Sequence, residues 1–277
     1  MTVDRGPANN ASVSPRLQVA SAFGLVSLAA WSLLATGPAL VVVALAAAAA
    51  VGWLAFHIVS PRSQWIVPTV FRLHGGAPEL ALTFDDGPDP TFTPQVLALL
   101  AAHGARATFF VVGQRAEAHP ELVRQVQAAG HQVGSHSFAH AHTFHFLGAA
   151  AIAAEIERGI TTIAAITGER PRAFRPPVGL RVPTLRAALR RLSQPVTCYT
   201  WTERGLDTIG RPAAAVVARL RPHLQPGAIL TLHDGAGLGG SRDRSATIEA
   251  LRELLMELAR RGLRSRRLDE FADQRAP

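Results

Sequence analysis

The chain has 277 residues, enough for one large domain or for one domain with an accessory segment. Hydrophobic residues make up 48% and charged residues 17%, and the net charge of +8 is carried by arginine, since there is no lysine. The arginines alternate with apolar residues on apparent helices and no recognised binding motif accompanies them. This argues against a nucleic-acid partner and for solvated helix faces or attraction to anionic lipid.

A polar tail over residues 1–16 precedes residues 17–61, a stretch without Asp, Glu, Lys or Arg. Thr36-Gly37-Pro38 divides it into runs over 17–36 and 39–59. Each run is close to the ~20 residues a helix needs to cross a bilayer, and proline ends a helix before itself. The expectation is a transmembrane hairpin of two helices. A cleaved signal peptide is the competing reading, but its apolar core would span only ~7–15 residues. Arg5 and Arg16 on one side and Arg62 and Arg72 on the other place both termini in the cytoplasm by the positive-inside rule. Large domains cross regardless of charge, so the side of the domain that follows stays open. The location expected is a bacterial-type inner membrane, with membrane lipids as partners.

Beyond a linker over 62–77 the chain alternates short apolar runs with helical patterns, and one domain is expected over 78–277. Strands are predicted over 79–84, 107–112, 132–135, 173–175, 196–201 and 228–233. Helices are predicted over 93–103, 120–129, 148–167, 183–192, 212–224 and 245–261. Such alternation argues for a mostly parallel sheet with crossover helices. Closing it gives a barrel whose site lies at the strand C-termini. Cys198 sits in an apolar run, can form no internal disulfide, and reads as a small buried hydrophobe.

Polar clusters fall at these strand ends. The first strand runs into Thr83-Phe84-Asp85-Asp86-Gly87-Pro88. Asp-Gly-Pro alone would be a turn, but adjacent carboxylates repel unless a cation offsets them. With Asp86 on a metal, Asp85 can stay ionised and act as a base. The third strand runs into Ser135-His136-Ser137-Phe138-Ala139-His140, whose two histidines four apart would share one face of a helical turn. With Asp86 they make a His-His-carboxylate set that leaves positions open for water and substrate, although a polar loop is the bland alternative. His142 and His145 follow without that spacing. Arg175-Pro176-Pro177-Val178-Gly179, the segment from Trp201 to Asp207, and Leu230-Thr231-Leu232-His233-Asp234 complete the rim.

In these motifs and in their order, from Pro78 to Phe271, the chain resembles the NodB-homology polysaccharide deacetylases, carbohydrate esterase family four. The resemblance implies a distorted (β/α) barrel of the NodB type. It also implies metal-dependent hydrolysis of the N-acetyl group of an amino sugar in a polysaccharide, oligosaccharide or lipid-linked glycan. Asp86, His136 and His140 would hold a divalent ion, zinc first, with cobalt, nickel or manganese as alternatives. Asp85 would be the general base, oriented by Arg175, and His233 the general acid, held by Asp207. Pro177 and the Val178 N–H would form the oxyanion side, and Trp201 and Leu230 the acyl pocket. The family carries an aromatic where Val178 stands and often a tryptophan where Thr208 stands, which leaves sugar choice open. Alternatives are a deformylase or other N-deacylase of a lipid-linked amino sugar, and a non-catalytic carbohydrate-binding protein. No obligate protein partner is inferred.

Overall fold

The computed structural model describes residues 37–74, 76–236 and 243–271. The chain divides into two compact units, 1–55 and 56–277. Helix α1 (Gly37–Val59) is, among the described residues, the one helix long and apolar enough to cross a bilayer. The helix expected over 17–36 lies outside the described residues. The break expected at Gly37-Pro38 is instead the first turn of α1, where a proline costs no hydrogen bond because its N–H would be unpaired there anyway.

The second unit is built on eight strands: β1 (Glu79–Asp85), β2 (Ala107–Val111), β3 (Gln132–Ser135), β4 (Ala173–Phe174), β5 (Thr197–Cys198), β6 (Glu203–Arg204), β7 (Ile229–His233) and β8 (Arg264–Ser265). Their order is β5-β4-β3-β2-β1-β7-β6, with β8 on the start of β1. Every named pairing is parallel. Helices α2 (Thr93–Ala102), α3 (Gly113–Ala118), α4 (Pro120–Ala128), α5 (Ala149–Thr167), α6 (Pro183–Leu189), α7 (Ala213–Leu220) and α8 (Ser245–Arg260) follow the strands.

Alternation along β1 and β7 decides what reaches the site. Leu82, Phe84, Leu230 and Leu232 pack with Val96, Leu100, Val216 and Leu251 in the core beneath the helices. Ala81 and Ile229 lie in the opposite core with Phe110, Tyr199 and Trp201. Successive strand residues point to opposite faces, so Thr83, Asp85, Thr231 and His233 belong to that inner face.

The barrel is incomplete. Of the strand expected over 196–201 only Thr197–Cys198 (β5) is strand, and β6 (Glu203–Arg204) lies beyond it at the opposite sheet edge. The reason is a change of partner along one extended run. The Tyr199 N–H bonds the Phe174 carbonyl at 2.8 Å, the Thr200 N–H the Val70 carbonyl at 3.0 Å, and the Thr202 N–H the Ile229 carbonyl at 2.8 Å. Residues 70–73 thus sit in the gap, where Leu73 also bonds Gly227 at 2.7 Å. Helix α3 and strands β6 and β8 are additions to the predicted elements. The helix expected over 212–224 stops at Leu220 and tightens into one turn over Arg221–His223, because Pro222 cannot donate into the ladder.

Candidate metal centre and active site

The sheet brings the predicted polar residues to one rim. β1 delivers Asp85 and Asp86, β3 His136, β4 Arg175, the turn after β6 Asp207, and β7 His233. β1 and β7 pair with Asp85 opposite His233, so a carboxylate and an imidazole stand at the same level of the sheet.

Two adjacent aspartates do different things because the backbone turns left-handed at the second, Asp86 (φ 69). Asp85 continues the strand and enters the interior. Its carboxylate accepts from Arg175 Nη1 at 2.7 Å, and the same guanidinium donates to the Thr83 hydroxyl and to the Thr200 carbonyl, both at 2.9 Å. Both partners are buried, and the guanidinium lies over the Phe110 ring at 4.1 Å.

Asp86 is redirected toward His136 and His140. The histidine pair does not form the expected helical turn. Residues 136–140 are a loop with Ser137 (φ 67) and His140 (φ 49) left-handed, tied by the His140 N–H to the Ser137 hydroxyl at 3.1 Å. The two left-handed residues of this loop bring both rings to Asp86. Asp86 Oδ1 is 3.5 Å from His136 Nε2 and 3.3 Å from His140 Nε2. One ligand atom from each residue lies within 4.8 Å of the others, and all three residues are buried.

This donor set fits a metal ion. Ligand atoms about 2.1 Å from a tetrahedral zinc stand roughly 3.4 Å apart. His140 Nε2 is buried without a hydrogen-bond partner among the described residues. His136 Nδ1 bonds the Arg175 carbonyl at 2.7 Å, which fixes the ring and frees Nε2 to ligate. Burial pulls both imidazoles below the usual histidine pKa, keeping them neutral with a lone pair available.

His233 is prepared for the opposite role. Its Nδ1 is 2.8 Å from Asp207 Oδ1, its backbone N–H bonds Asp207 Oδ2 at 2.9 Å, and the Thr247 hydroxyl bonds the same oxygen at 2.8 Å. Burial disfavours the imidazolium, but the charge and hydrogen bond of Asp207 outweigh it and raise the pKa to about 9. Asp207 is disfavoured by burial in turn, and His233 with the three hydrogen bonds holds it below the usual carboxylate value.

Val178 is exposed and left-handed (φ 56), a costly conformation for a β-branched residue. It follows the buried Pro177 and precedes Gly179, where a Cβ would collide with the Trp201 ring. Trp201 therefore backs the Arg175–Gly179 loop. Leu230 does not reach the pocket. It belongs to the helix-side core, and its neighbour Thr231 faces inward, with its hydroxyl 3.0 Å from that of Thr83.

Two supporting residues were missed by sequence reasoning. Arg115, at the start of α3, donates to the Asp86 and Ala236 carbonyls and ties the metal loop to the chain after β7. Asp234 is buried against Gly87, where a Cβ would strike its carboxylate, and accepts from the Thr93 hydroxyl at 2.6 Å. Burial pushes its carboxyl up to about 7. The only signals in the sequence are their positions just past strand ends.

Residues 73–196 match the profile of the polysaccharide deacetylase family. A peptidoglycan-N-acetylglucosamine deacetylase of Bacillus cereus is 34% identical over 208 residues, covering 72% of this chain and 88% of the relative. A chitooligosaccharide deacetylase of Sinorhizobium fredii is 35% identical over 217 residues, covering 73% and 95%. Among solved structures, the family 4 carbohydrate esterase from Streptomyces lividans in complex with acetate superposes with a TM-score of 0.59 at 34% identity, covering 68% of this chain and 91% of that one. A peptidoglycan N-acetylglucosamine deacetylase superposes with a TM-score of 0.67 at 26% identity, covering 74% and 93%.

Proposed function

This chain belongs to the polysaccharide deacetylase family, and from that premise we propose how its residues hydrolyse the N-acetyl group of an amino sugar in a glycan. The observation that carries the reading is the buried Asp86–His136–His140 set flanked by an Asp85–Arg175 pair and a His233–Asp207 pair. A divalent ion bound there, zinc by its donor chemistry, supplies Lewis acidity toward the acyl oxygen and lowers the pKa of water. Asp85, paired with and oriented by Arg175, takes the proton of the attacking water. The Val178 N–H donates to the oxygen on which negative charge develops. His233, kept protonated by Asp207, gives its proton to the departing amine, a poor leaving group otherwise. Trp201 closes the acyl pocket. Helix α1 holds the enzyme at the bacterial inner membrane, which puts membrane-proximal glycans and lipid-linked amino sugars within reach.

The test uses the full chain extracted with detergent from carbonate-washed membranes. It is expected to release acetate from chitooligosaccharide or peptidoglycan fragments, to stop after chelation, and to recover with zinc. Release of formate from a lipid-linked amino sugar, with no acetate from any substrate, would replace this reading by the deformylase one.

The His233–Asp207 pair makes a pH prediction. An acid must be protonated, so activity is lost as pH rises through a value near 9. Asp207→Asn removes the interaction that raises this pKa, and the alkaline limb of kcat/KM is expected to fall toward the ordinary histidine value of 6.5. An unmoved alkaline limb would remove His233 from the role of acid.

A further inference from the structure

Arg204 stands at the edge of this site with no assigned role. Its register partner in β7 is Thr231, whose hydroxyl meets that of Thr83 on the face that carries Asp85. In-register residues of neighbouring strands share a face, so Arg204 projects on the side of the base and not into the helix layer. Its guanidinium lies 5.3 Å from the Trp201 ring centroid, and Trp201 itself is pressed against Gly179 of the Arg175–Gly179 loop. The side chain is half-buried.

Among the described residues no carboxylate lies within ion-pair distance of this guanidinium. Neighbouring Glu203 is engaged by Arg219 at 2.6 Å and faces His223 at 3.6 Å. Asp207 is engaged by His233, and Asp85 by Arg175. Burial, and then the charge of Arg219, hold Arg204 below the usual arginine pKa, opposed by Glu203 and by Asp85. A partly desolvated, stacked and unneutralised arginine gains more from an anion than an exposed one does, and its planar fork matches a carboxylate or a phosphate. The rim here also offers the exposed Val178 and the half-buried Thr208, neither of which can stack on a sugar ring. Recognition by charge fits such a rim better than recognition by stacking.

We propose that Arg204 is a specificity-determining residue that binds an anionic group, carboxylate or phosphate, on the amino-sugar substrate close to the acyl group removed. The proposal rests on the deacetylase reading, and it names a substrate class within it. If Arg204 only covers Trp201, a methionine of similar length would serve as well.

The test compares three matched disaccharides with the zinc-loaded full chain in detergent. They are neutral diacetylchitobiose, the carboxylate-bearing N-acetylglucosaminyl-N-acetylmuramic acid, and diacetylchitobiose 1-phosphate. The wild type is expected to favour one charged disaccharide over the neutral one at least tenfold in kcat/KM at low salt, mainly through KM. The two charged arms tell a carboxylate from a phosphate. Raising the ionic strength is expected to shrink the preference, Arg204→Met to abolish it, and Arg204→Lys to keep most of it. The same sugars titrated calorimetrically into Asp85→Asn protein, with and without Arg204→Met, read binding apart from turnover. Absence of acetate release would then count against the deacetylase reading alone. An equal charged-to-neutral ratio in wild type and Arg204→Met, by rate and by binding, would overturn the role of Arg204.

Discussion

Asp86→Ala is expected to give a folded protein that loses its metal on dialysis and deacetylates about a thousandfold more slowly, or not at all. Asp85→Asn is expected to lose a comparable rate while keeping stoichiometric metal. The separation follows from one backbone angle. The left-handed turn at Asp86 sends its carboxylate to the two histidine Nε2 atoms, at 3.5 and 3.3 Å, while Asp85 stays on the strand face beside Arg175. Catalytic zinc sites rest on three protein ligands, and loss of the only anion among them also removes most of the electrostatic attraction for the cation. Asparagine at 85 keeps the shape and the hydrogen bond to Arg175 but cannot take a proton, which is worth about 10²–10⁴ in rate. Metal analysis beside the rates decides it. Metal retained at full occupancy by Asp86→Ala would remove Asp86 from the ligand set, and undiminished turnover by Asp85→Asn would place the base elsewhere.

The parts of this site that could be read in the sequence are those whose chemistry is local. Adjacent carboxylates after an apolar run are costly without a cation, and that cost is visible in Asp85-Asp86 alone. A histidine pair four apart announces shared ligation, but the backbone that achieves it is a loop with two left-handed residues and not a helical turn. Spacing constrains which atoms meet more tightly than it constrains the path between them. Leu230 shows the limit of a motif read without its face. A period-two strand puts Leu230 under the helices and Thr231 in the site, and the distinction follows only once Asp85 and His233 are known to face inward. The open barrel was hidden for another reason. The run over 196–201 reads as one strand because its residues are mostly apolar and β-forming, whereas its pairing changes within it from β4 to residue 70, and the chain pairs with β7 only beyond it, at Thr202 and β6. Arg115 and Asp234 act through contacts 29 residues and more away in sequence, which no local pattern records.

Arg175→Met is expected to damage the fold as well as the rate. The guanidinium is fully buried, and among its neighbours Asp85, the Thr83 hydroxyl and the Thr200 carbonyl all take hydrogen bonds from it. Removing one partner of a buried pair leaves the other charge unpaired, at a cost of about 3–5 kcal/mol. For a domain of this size that corresponds to a fall in melting temperature of roughly 6–20 °C. The Thr200 carbonyl matters because residue 200 lies where the chain passes from β5 to β6, so the same guanidinium braces the seam of the open barrel. Adding Asp85→Asn to Arg175→Met removes the stranded charge. The double variant is therefore expected to recover part of the lost stability while remaining inactive, and the recovery measures the coupling between the two residues. Losses that simply add would mean that Arg175 serves the seam alone, and that Asp85 is oriented by something other than its guanidinium.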